Sequence, residues 1–490
     1  MDPLLLHRSI QCRRQFLNRS GMGLGAAVMA ALVPRSSTAN IGDLPHSPPR
    51  VKRVIFMFMA GAPSQLDLFD YKPELAKKFK EPLPAEVRDG QRVTAMTRNA
   101  THLIQPSMFK FSQCGKNGLW MNELLPNLSA MVDDICFVKS MHTDAINHDP
   151  GKTLINTGSE IPGKPSLGAW LSYGLGTLNN NLPDFVVLNS AFWSGDQQNV
   201  QALYKRLWGT GFLPSKHQGV VFQTSGDPVL FLSNPKGVTR ESRHKMLDLV
   251  TKLNRKHAVE IGDPEIQTTI AQQEMAFRMQ SSVPELTDLT SEPQHILDMY
   301  GPEVQKSGSF ARNCLLARRM AERDVRFVQI YHRGWDHHVG LPKKMRGQCY
   351  DIDQPAAALL KDLKQHGLLK DTLVVFSGEF GRTVYGQGKQ SEISYGRDHH
   401  PRCFTAWLSG GGIRGGIEHG RTDEYSYNIA DSDGQKTTRF EDDAVHVRDL
   451  NATILHQLGI DHRQLTFPFQ GFDQRVTGVK EAHVVKKILS

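Results

Sequence analysis

The hydrophobic positions fall into two kinds of segment, which predict alternating strands and helices. Short runs of β-branched and aromatic residues predict strands over 51–59, 135–138, 325–331, 372–376 and 403–408. Apolar residues at helical spacing predict helices over 124–132, 310–322, 352–366 and 447–458. This alternation predicts an α/β fold built on a mostly parallel, doubly wound sheet.

The segment 185–300 has a different character. Gly-, Pro- and Asn-rich stretches precede a long polar helical region over about 241–280. We interpret 185–300 as a helical insertion or cap without evident chemistry. It divides the core into a first part, 51–184, and a second part, 301–480, after a Pro-rich linker at 40–50. A chain of 490 residues exceeds the usual size of one hydrophobic core, which fits this division.

The N-terminal 39 residues have the pattern of an export signal. The pair Arg13-Arg14 precedes an uncharged small and apolar run at 21–33, and small residues at 37–39 offer a cleavage site. The alternative is a membrane anchor, but this run is too short for the roughly 30 Å of a bilayer's hydrocarbon core. We predict a periplasmic or secreted protein that uses the twin-arginine route and keeps no membrane span after cleavage.

Charge and cysteine content argue against nucleic-acid binding and against cysteine-based sites. The formal net charge of +8 is diffuse and forms no basic stripe with interleaved aromatics, so nucleic-acid binding is not supported. One of the six cysteines, Cys12, lies in the signal, and the others form no CxxC pair. A zinc–thiolate site or a disulfide scaffold is therefore not expected, although one bridge remains possible.

Acidic and imidazole side chains gather after the predicted strands. The groups are Ser64, Asp67 and Asp70; His142, Asp144, His148 and Asp149; Asp336, His337 and His338; Glu379 and Arg382; and Asp398, His399 and His400. In an open α/β sheet the carboxyl ends of the strands meet at one crevice, so we expect these loops to converge. Mixed carboxylate and imidazole ligands suit zinc, manganese or iron, whereas oxygen ligands alone suit calcium or magnesium.

Each group also has a purely structural interpretation. An Asp-His pair in a loop often only caps a turn. His148 could cap the following helix, and Glu379 could simply pair with Arg382. If the loops converge, Arg382 could instead hold a tetrahedral anion in bidentate fashion.

Four segments resemble a large bacterial family known as domain of unknown function 1501, whose members are often labelled sulfatase-like. They are FMFMAGAPSQLDLFD at 56–70, GWDHH at 334–338, GEFGRT at 378–383 and GRDHHP at 396–401. The similarity runs from about 51 to 479. The resemblance implies an alkaline-phosphatase/sulfatase-like α/β/α sandwich and twin-arginine export, without a defined activity.

HDPGKTLINTG at 148–158 is similar in spacing to the sulfatase signature, with differences at the reactive positions. His148 stands in the place of the nucleophile and Lys152 in that of the signature arginine. Glu379 stands in the place of a metal-binding aspartate. Formylglycine chemistry is excluded at His148, which leaves His148 itself, Ser64 or a water as the attacking group.

We therefore predict a divalent metal ion (zinc, manganese or calcium) and an anionic ester substrate, sulfate or phosphate, possibly on a polysaccharide. The candidate metal ligands are Asp67, Asp336, His337, His338, Glu379, Asp398 and His399. The candidate catalytic residues are His148, Ser64 and Arg382, and those for substrate binding are Lys152, Arg382 and His400. The alternative is a non-catalytic protein that binds sulfated or phosphorylated glycans; a purely structural protein is the weakest hypothesis.

Overall fold

The computed structural model of the protein describes residues 44–191, 200–223, 228–229, 234, 237–261, 264–391 and 393–490. The predicted export signal and the first part of the linker lie outside the described residues. In the described part of the chain, no helix has both the length and the apolar character needed to cross a membrane.

The strands and helices are numbered in chain order. The strands are β1 Arg53–Met59, β2 Phe111–Cys114, β3 Leu119–Asn122, β4 Ile135–His142, β5 Phe185–Asn189, β6 Val220–Phe222, β7 Phe327–His332, β8 Thr372–Ser377, β9 Gly381–Gln387, β10 Gly396–His400, β11 Phe404–Gly410, β12 Ile417–His419, β13 Arg421–Thr422, β14 Ile429–Ala430, β15 Val445–His446, β16 Phe467–Phe469 and β17 Phe472–Gln474. The α-helices are α1 Gln65–Leu68, α2 Ala85–Arg88, α3 Pro126–Ser129, α4 His148–Thr157, α5 Leu167–Leu175, α6 Arg240–Ile261, α7 Pro264–Thr287, α8 Gln294–Tyr300, α9 Phe310–Glu322, α10 Leu341–Gln365 and α11 Val447–Gln457.

The main sheet has the strand order β12-β4-β11-β8-β1-β7-β5-β6, and β15 also pairs with β4. Neighbouring strands run parallel except at β11, which is antiparallel to both β4 and β8. The carboxyl ends of β1, β4, β7 and β8 therefore share one edge, where the polar groups predicted to converge begin.

Strand β1 shows why the fold has three layers. Its alternate residues enter two separate hydrophobic cores, because successive side chains of a strand point to opposite faces. Ile55 and Met57 lie in the core that contains the inward sides of α9 and α10. Phe56 and Phe58 lie in the core that contains those of α5 and α11. This confirms the predicted α/β/α sandwich with a mostly parallel sheet.

Four elements differ from the sequence-based expectation. Strands β5 and β6 belong to the main sheet, so the sheet extends into the range interpreted as an insertion; its helical part is the pair α6 and α7. The glycine-rich segment expected to be a loop forms strand β10, which pairs with β9 in a separate hairpin. The helix expected over 124–132 shortens to α3, which has Pro126 in its first turn.

The five cysteines of the described residues are free.

Candidate metal centre

Four side chains meet beyond the shared edge of the sheet. His148 opens α4 after β4, Asp336 and His338 follow β7, and His399 lies on β10. Each offers one nitrogen or oxygen, and these four atoms lie within 4.8 Å of one another. His148, Asp336 and His399 are buried, while His338 is partly exposed.

Asp336 is the centre of this group. Its Oδ1 lies 3.0 Å from His148 Nε2, 2.8 Å from His338 Nε2 and 3.4 Å from His399 Nε2. The Nε2 atoms of His338 and His399 are 3.1 Å apart. Thus three imidazoles turn the same ring nitrogen toward one carboxylate.

The opposite nitrogen of each imidazole faces an oxygen acceptor. The contacts are His148 Nδ1 to Glu379 Oε1 at 2.6 Å, His399 Nδ1 to the Ile146 carbonyl at 2.9 Å and His338 Nδ1 to Gln387 Oε1 at 2.6 Å. We assign the proton of each neutral ring to Nδ1 from this hydrogen-bond network. Each Nε2 then presents a lone pair to the cluster, as in histidine ligands whose outer nitrogen is held by an oxygen.

The donor set fits a divalent cation. Three lone pairs and an ionised carboxylate oxygen in mutual contact repel one another unless a positive charge lies among them. Protons alone relieve this repulsion poorly, because the Nε2 atoms of His338 and His399 lie 3.1 Å apart and cannot both carry a proton. These four residues could therefore hold a metal ion, with Glu379, Ile146 and Gln387 orienting the imidazoles.

The charges around the cluster keep Asp336 ionised. Burial raises the pKa of Asp336, but the charge of the Arg382 guanidinium and the polar contacts with the imidazoles lower it well below its usual range. Burial lowers the pKa of His399 to about 4, which leaves that ring neutral near pH 7. Burial also opposes charge on His148, yet its contacts with Asp336 and Glu379 raise the pKa above the usual value.

Glu379 and Arg382 lie behind the cluster. The Glu379 carboxylate is fully buried and accepts the Gly61 backbone N–H at 3.0 Å as well as His148 Nδ1. Arg382 donates to Asp336 Oδ1 at 2.7 Å and, through its other nitrogens, to the carbonyls of Ala62 and Arg397. Glu379 is therefore not one of the four residues of the cluster. Arg382 uses its donors on groups inside the protein and presents no open face to an anion.

Ser64 and Asp67 form a different buried group. Asp67 pairs with Arg397 Nε at 2.5 Å and accepts the Tyr395 hydroxyl at 2.7 Å and the Ser64 hydroxyl at 2.6 Å. Burial raises the pKa of Asp67, but the charge and hydrogen bonds of Arg397 lower it below the usual value. Neither residue reaches the imidazole cluster, because Arg397 holds the carboxylate.

Asp398 and His400 flank His399 on β10 and point away from the cluster, as expected for neighbours in a strand. Asp398 accepts hydrogen bonds from the hydroxyls of Thr94 and Thr97. His400 contacts the Tyr427 carbonyl and stacks on the Tyr427 ring, and burial lowers its pKa to about 4.

His337, which is also a candidate metal ligand from the sequence, is 2% exposed and lies outside the cluster. Its ring centroid is 6.3 Å from that of Trp335.

Two further residues, Lys152 and Gln201, complete the surroundings of the cluster. Lys152 lies one helical turn after His148 and donates to the Ala202 carbonyl at 2.6 Å; burial lowers its pKa, opposed by the charge of Glu379. Gln201 donates to Asp336 Oδ2 at 2.8 Å. The sequence carries no signal for Gln201, which belongs to the segment interpreted as having no chemistry.

The chain is similar to several solved structures. Alkaline phosphatase from the Antarctic bacterium TAB5 is 12% identical, with 76% of this chain and 94% of that chain covered and a TM-score of 0.29. The phosphonate monoester hydrolase SpPMH from Silicibacter pomeroyi is 11% identical, with 89% and 76% covered and a TM-score of 0.31. An alkaline phosphatase superfamily protein from Vibrio parahaemolyticus is 11% identical, with 86% and 70% covered and a TM-score of 0.34.

A comparison with curated proteins gives no match. A family model described as "Protein of unknown function (DUF1501)" matches residues 51–489, which is nearly all of the chain after the predicted signal and linker. The chain therefore belongs to the DUF1501 family.

Proposed function

We propose that this protein is a metal-dependent hydrolase of sulfate or phosphate esters. One observation carries the proposal: three imidazoles, each held at Nδ1 by an oxygen, turn Nε2 toward the single carboxylate of Asp336. A divalent ion bound there would polarise a phosphoryl or sulfuryl oxygen and lower the pKa of a water. His148, Asp336, His338 and His399 would hold it.

The donor set favours zinc or manganese over calcium. Imidazole nitrogen suits zinc and other transition metals, whereas calcium takes about six to eight oxygen ligands. With Asp336 as the one carboxylate of the cluster, we infer a zinc-type or manganese-type site.

The chain's own nucleophile candidates are engaged elsewhere. The Ser64 hydroxyl donates to buried Asp67, and both ring nitrogens of His148 face carboxylates. We therefore assign the attacking role to a water that enters from the side of His338, the most exposed member of the cluster. Lys152, whose ammonium is close enough to interact with Glu379 and Asp336, would help to balance the charge of an anionic ester.

The engaged nucleophiles also favour a second function, the binding of sulfated or phosphorylated glycans without turnover. In that case the cluster and Lys152 would recognise the anionic group and leave it intact.

Both functions are compatible with the export that we infer through the twin-arginine route. N-terminal sequencing of protein from the periplasm would test export, and we expect the mature chain to begin near Asn40.

Elemental analysis of protein purified without chelators tests the metal centre. We expect a stoichiometric divalent metal in the parent protein and its loss in Asp336→Asn, which removes the shared charge and keeps the side-chain shape. His295→Ala, an exposed histidine on α8, is the matched control and should retain the metal. Full metal content in Asp336→Asn would contradict the assignment.

A panel of aryl sulfate and phosphate monoesters then separates the two functions. Turnover by the parent and the control, lost in Asp336→Asn, supports the hydrolase. Retained metal without turnover of any ester, together with binding to a sulfated glycan array, supports the binding protein instead.

A further inference from the structure

Helix α6 carries an exposed apolar stripe that the candidate metal centre does not explain. The stripe consists of Met246, Leu249 and Leu253, which are 44%, 59% and 54% exposed. Their spacing of three and four residues places them on one side of the helix. Val259, which is 88% exposed, also lies on α6 but does not share their spacing and is not part of the stripe.

The stripe is distinct from the face that packs on α7. The helices α6 and α7 run antiparallel as a hairpin, with the rings of His244 and Phe277 stacked at 5.1 Å between centroids. Arg240 adds a contact to Ser281 further along the pair. Partly buried positions of α6 such as Leu247 and Val250 lie on the α7 side, whereas the stripe lies on its flank.

A row of lysines runs beside the stripe. Lys245, Lys252 and Lys256 are exposed and follow at spacings of seven and four residues, next to the apolar side chains on the helix surface. The whole of α6 has six lysines and arginines against three acidic residues. Lys245 forms an exposed ion pair with Glu241 at 2.7 Å, which is weak in water. Over 245–256 the outer surface is therefore apolar along one line and cationic along the next, and the exposed Glu260 lies beyond the end of both rows.

We propose that this surface of α6 binds an anionic lipid bilayer. The apolar stripe would lie at the boundary between the lipid headgroups and the acyl chains, and the lysine row would contact the lipid phosphates. Apolar residues beside lysines on a single helix are typical of segments that lie in the membrane interface. The arrangement attaches the protein to a surface without a spanning helix. It is independent of the chemistry at the metal centre.

The charges favour a bilayer over a second copy of the chain. Antiparallel pairing of two α6 helices through the stripe would bring the lysine flank of one copy against the same flank of the other. Like charges placed opposite each other across an interface are unfavourable. An anionic bilayer instead offers apolar chains and negative charge side by side, which matches both rows at once.

Vesicle sedimentation with the full-length mature protein tests this proposal. We expect binding to vesicles of phosphatidylglycerol mixed with phosphatidylcholine, little binding to phosphatidylcholine alone, and weaker binding as salt increases. Lys245→Glu/Lys252→Glu/Lys256→Glu should weaken binding on the order of 100-fold, since each cation near an anionic surface contributes roughly a factor of five. Met246→Ser/Leu249→Ser/Leu253→Ser should weaken it at least tenfold.

A matched charge change at exposed lysines elsewhere, Lys110→Glu/Lys116→Glu/Lys370→Glu, is the control and should bind nearly as the parent does. All substituted positions are exposed, so circular dichroism should match the parent. Equal binding by the α6 variants and this control would overturn the proposal. So would sedimentation of the free protein as a dimer that the serine variant turns into a monomer, because the stripe would then serve a second copy.

Discussion

The Glu379 carboxylate and the His148 imidazole form a buried pair in which His148 Nδ1 lies 2.6 Å from Glu379 Oε1. The same imidazole presents Nε2 to Asp336 at 3.0 Å. A carboxylate that holds the outer nitrogen of a histidine fixes its tautomer and raises the basicity of its inner nitrogen. The pair would therefore support the proposed metal centre by orienting His148.

Replacing the supporting carboxylate should weaken metal binding without abolishing it. We expect Glu379→Gln to lower the affinity for zinc roughly 10- to 100-fold, because the amide can still accept from His148 Nδ1 but carries no charge. Competition with a chromophoric chelator measures this. Glu481→Gln, whose side chain is 79% exposed, should bind zinc as the parent does. A Glu379→Gln protein with no detectable affinity would make Glu379 itself a ligand.

A side chain at Gly61 should displace the loop that carries Asp336. A Cβ added there would lie 2.7 Å from the Asp336 backbone nitrogen and 2.8 Å from that of Trp335. Backbone atoms cannot yield as a flexible side chain can, and the φ of +108° is also unfavourable for alanine. We expect Gly61→Ala to lose most of its bound metal, as measured by elemental analysis.

Gly367→Ala separates the clash from backbone strain. Gly367 also has positive φ, +68°, but an added Cβ would meet nothing within 4 Å. We expect this variant to lose about 1 kcal/mol of stability and to keep its metal. Metal loss of the same size in both variants would argue against a specific role for the Gly61 contact.

The Asp67–Arg397 pair should appear in the acid dependence of stability. Both groups are fully buried, so we expect Asp67→Asn, which leaves Arg397 without its counter-charge, to lower the free energy of unfolding by about 3–5 kcal/mol at pH 7. The pKa of Asp67 is lower in the folded chain than its unfolded value of about 3.9. Its contribution is therefore present above that value and is lost as the pH falls further.

Urea unfolding at pH 7, 5 and 3.5 measures this dependence. The difference between the parent and Asp67→Asn should be constant from pH 7 to 5 and should begin to shrink at pH 3.5. Asp433→Asn, at an exposed position, should stay within about 0.5 kcal/mol of the parent throughout. A pH-independent difference would mean that the pKa of Asp67 is the same in the folded and the unfolded chain, and a parent that gains stability relative to Asp67→Asn between pH 7 and 5 would mean that Asp67 is protonated in the folded protein.

Much of the framework could be predicted from local patterns. Helix α9 has the bounds expected from its apolar spacing, and β8 differs by one residue, because both segments are long or apolar enough for local preference to agree with packing. The sequence interpretation places β5 in the insertion, although its Phe-Val-Val-Leu run is typical of a buried strand. Its place beside β7 depends on pairing between residues far apart in the chain.

The sequence by itself determined the α/β alternation and the residue types from which a metal centre could be built. Only the tertiary structure decided which of them meet. Strand alternation on β10 turns His399 inward and Asp398 and His400 outward, and a salt bridge to Arg397 occupies Asp67. The ligand role depends on where each ring nitrogen points, and that direction is set by partners such as Glu379, which lies 231 positions away in the chain from His148.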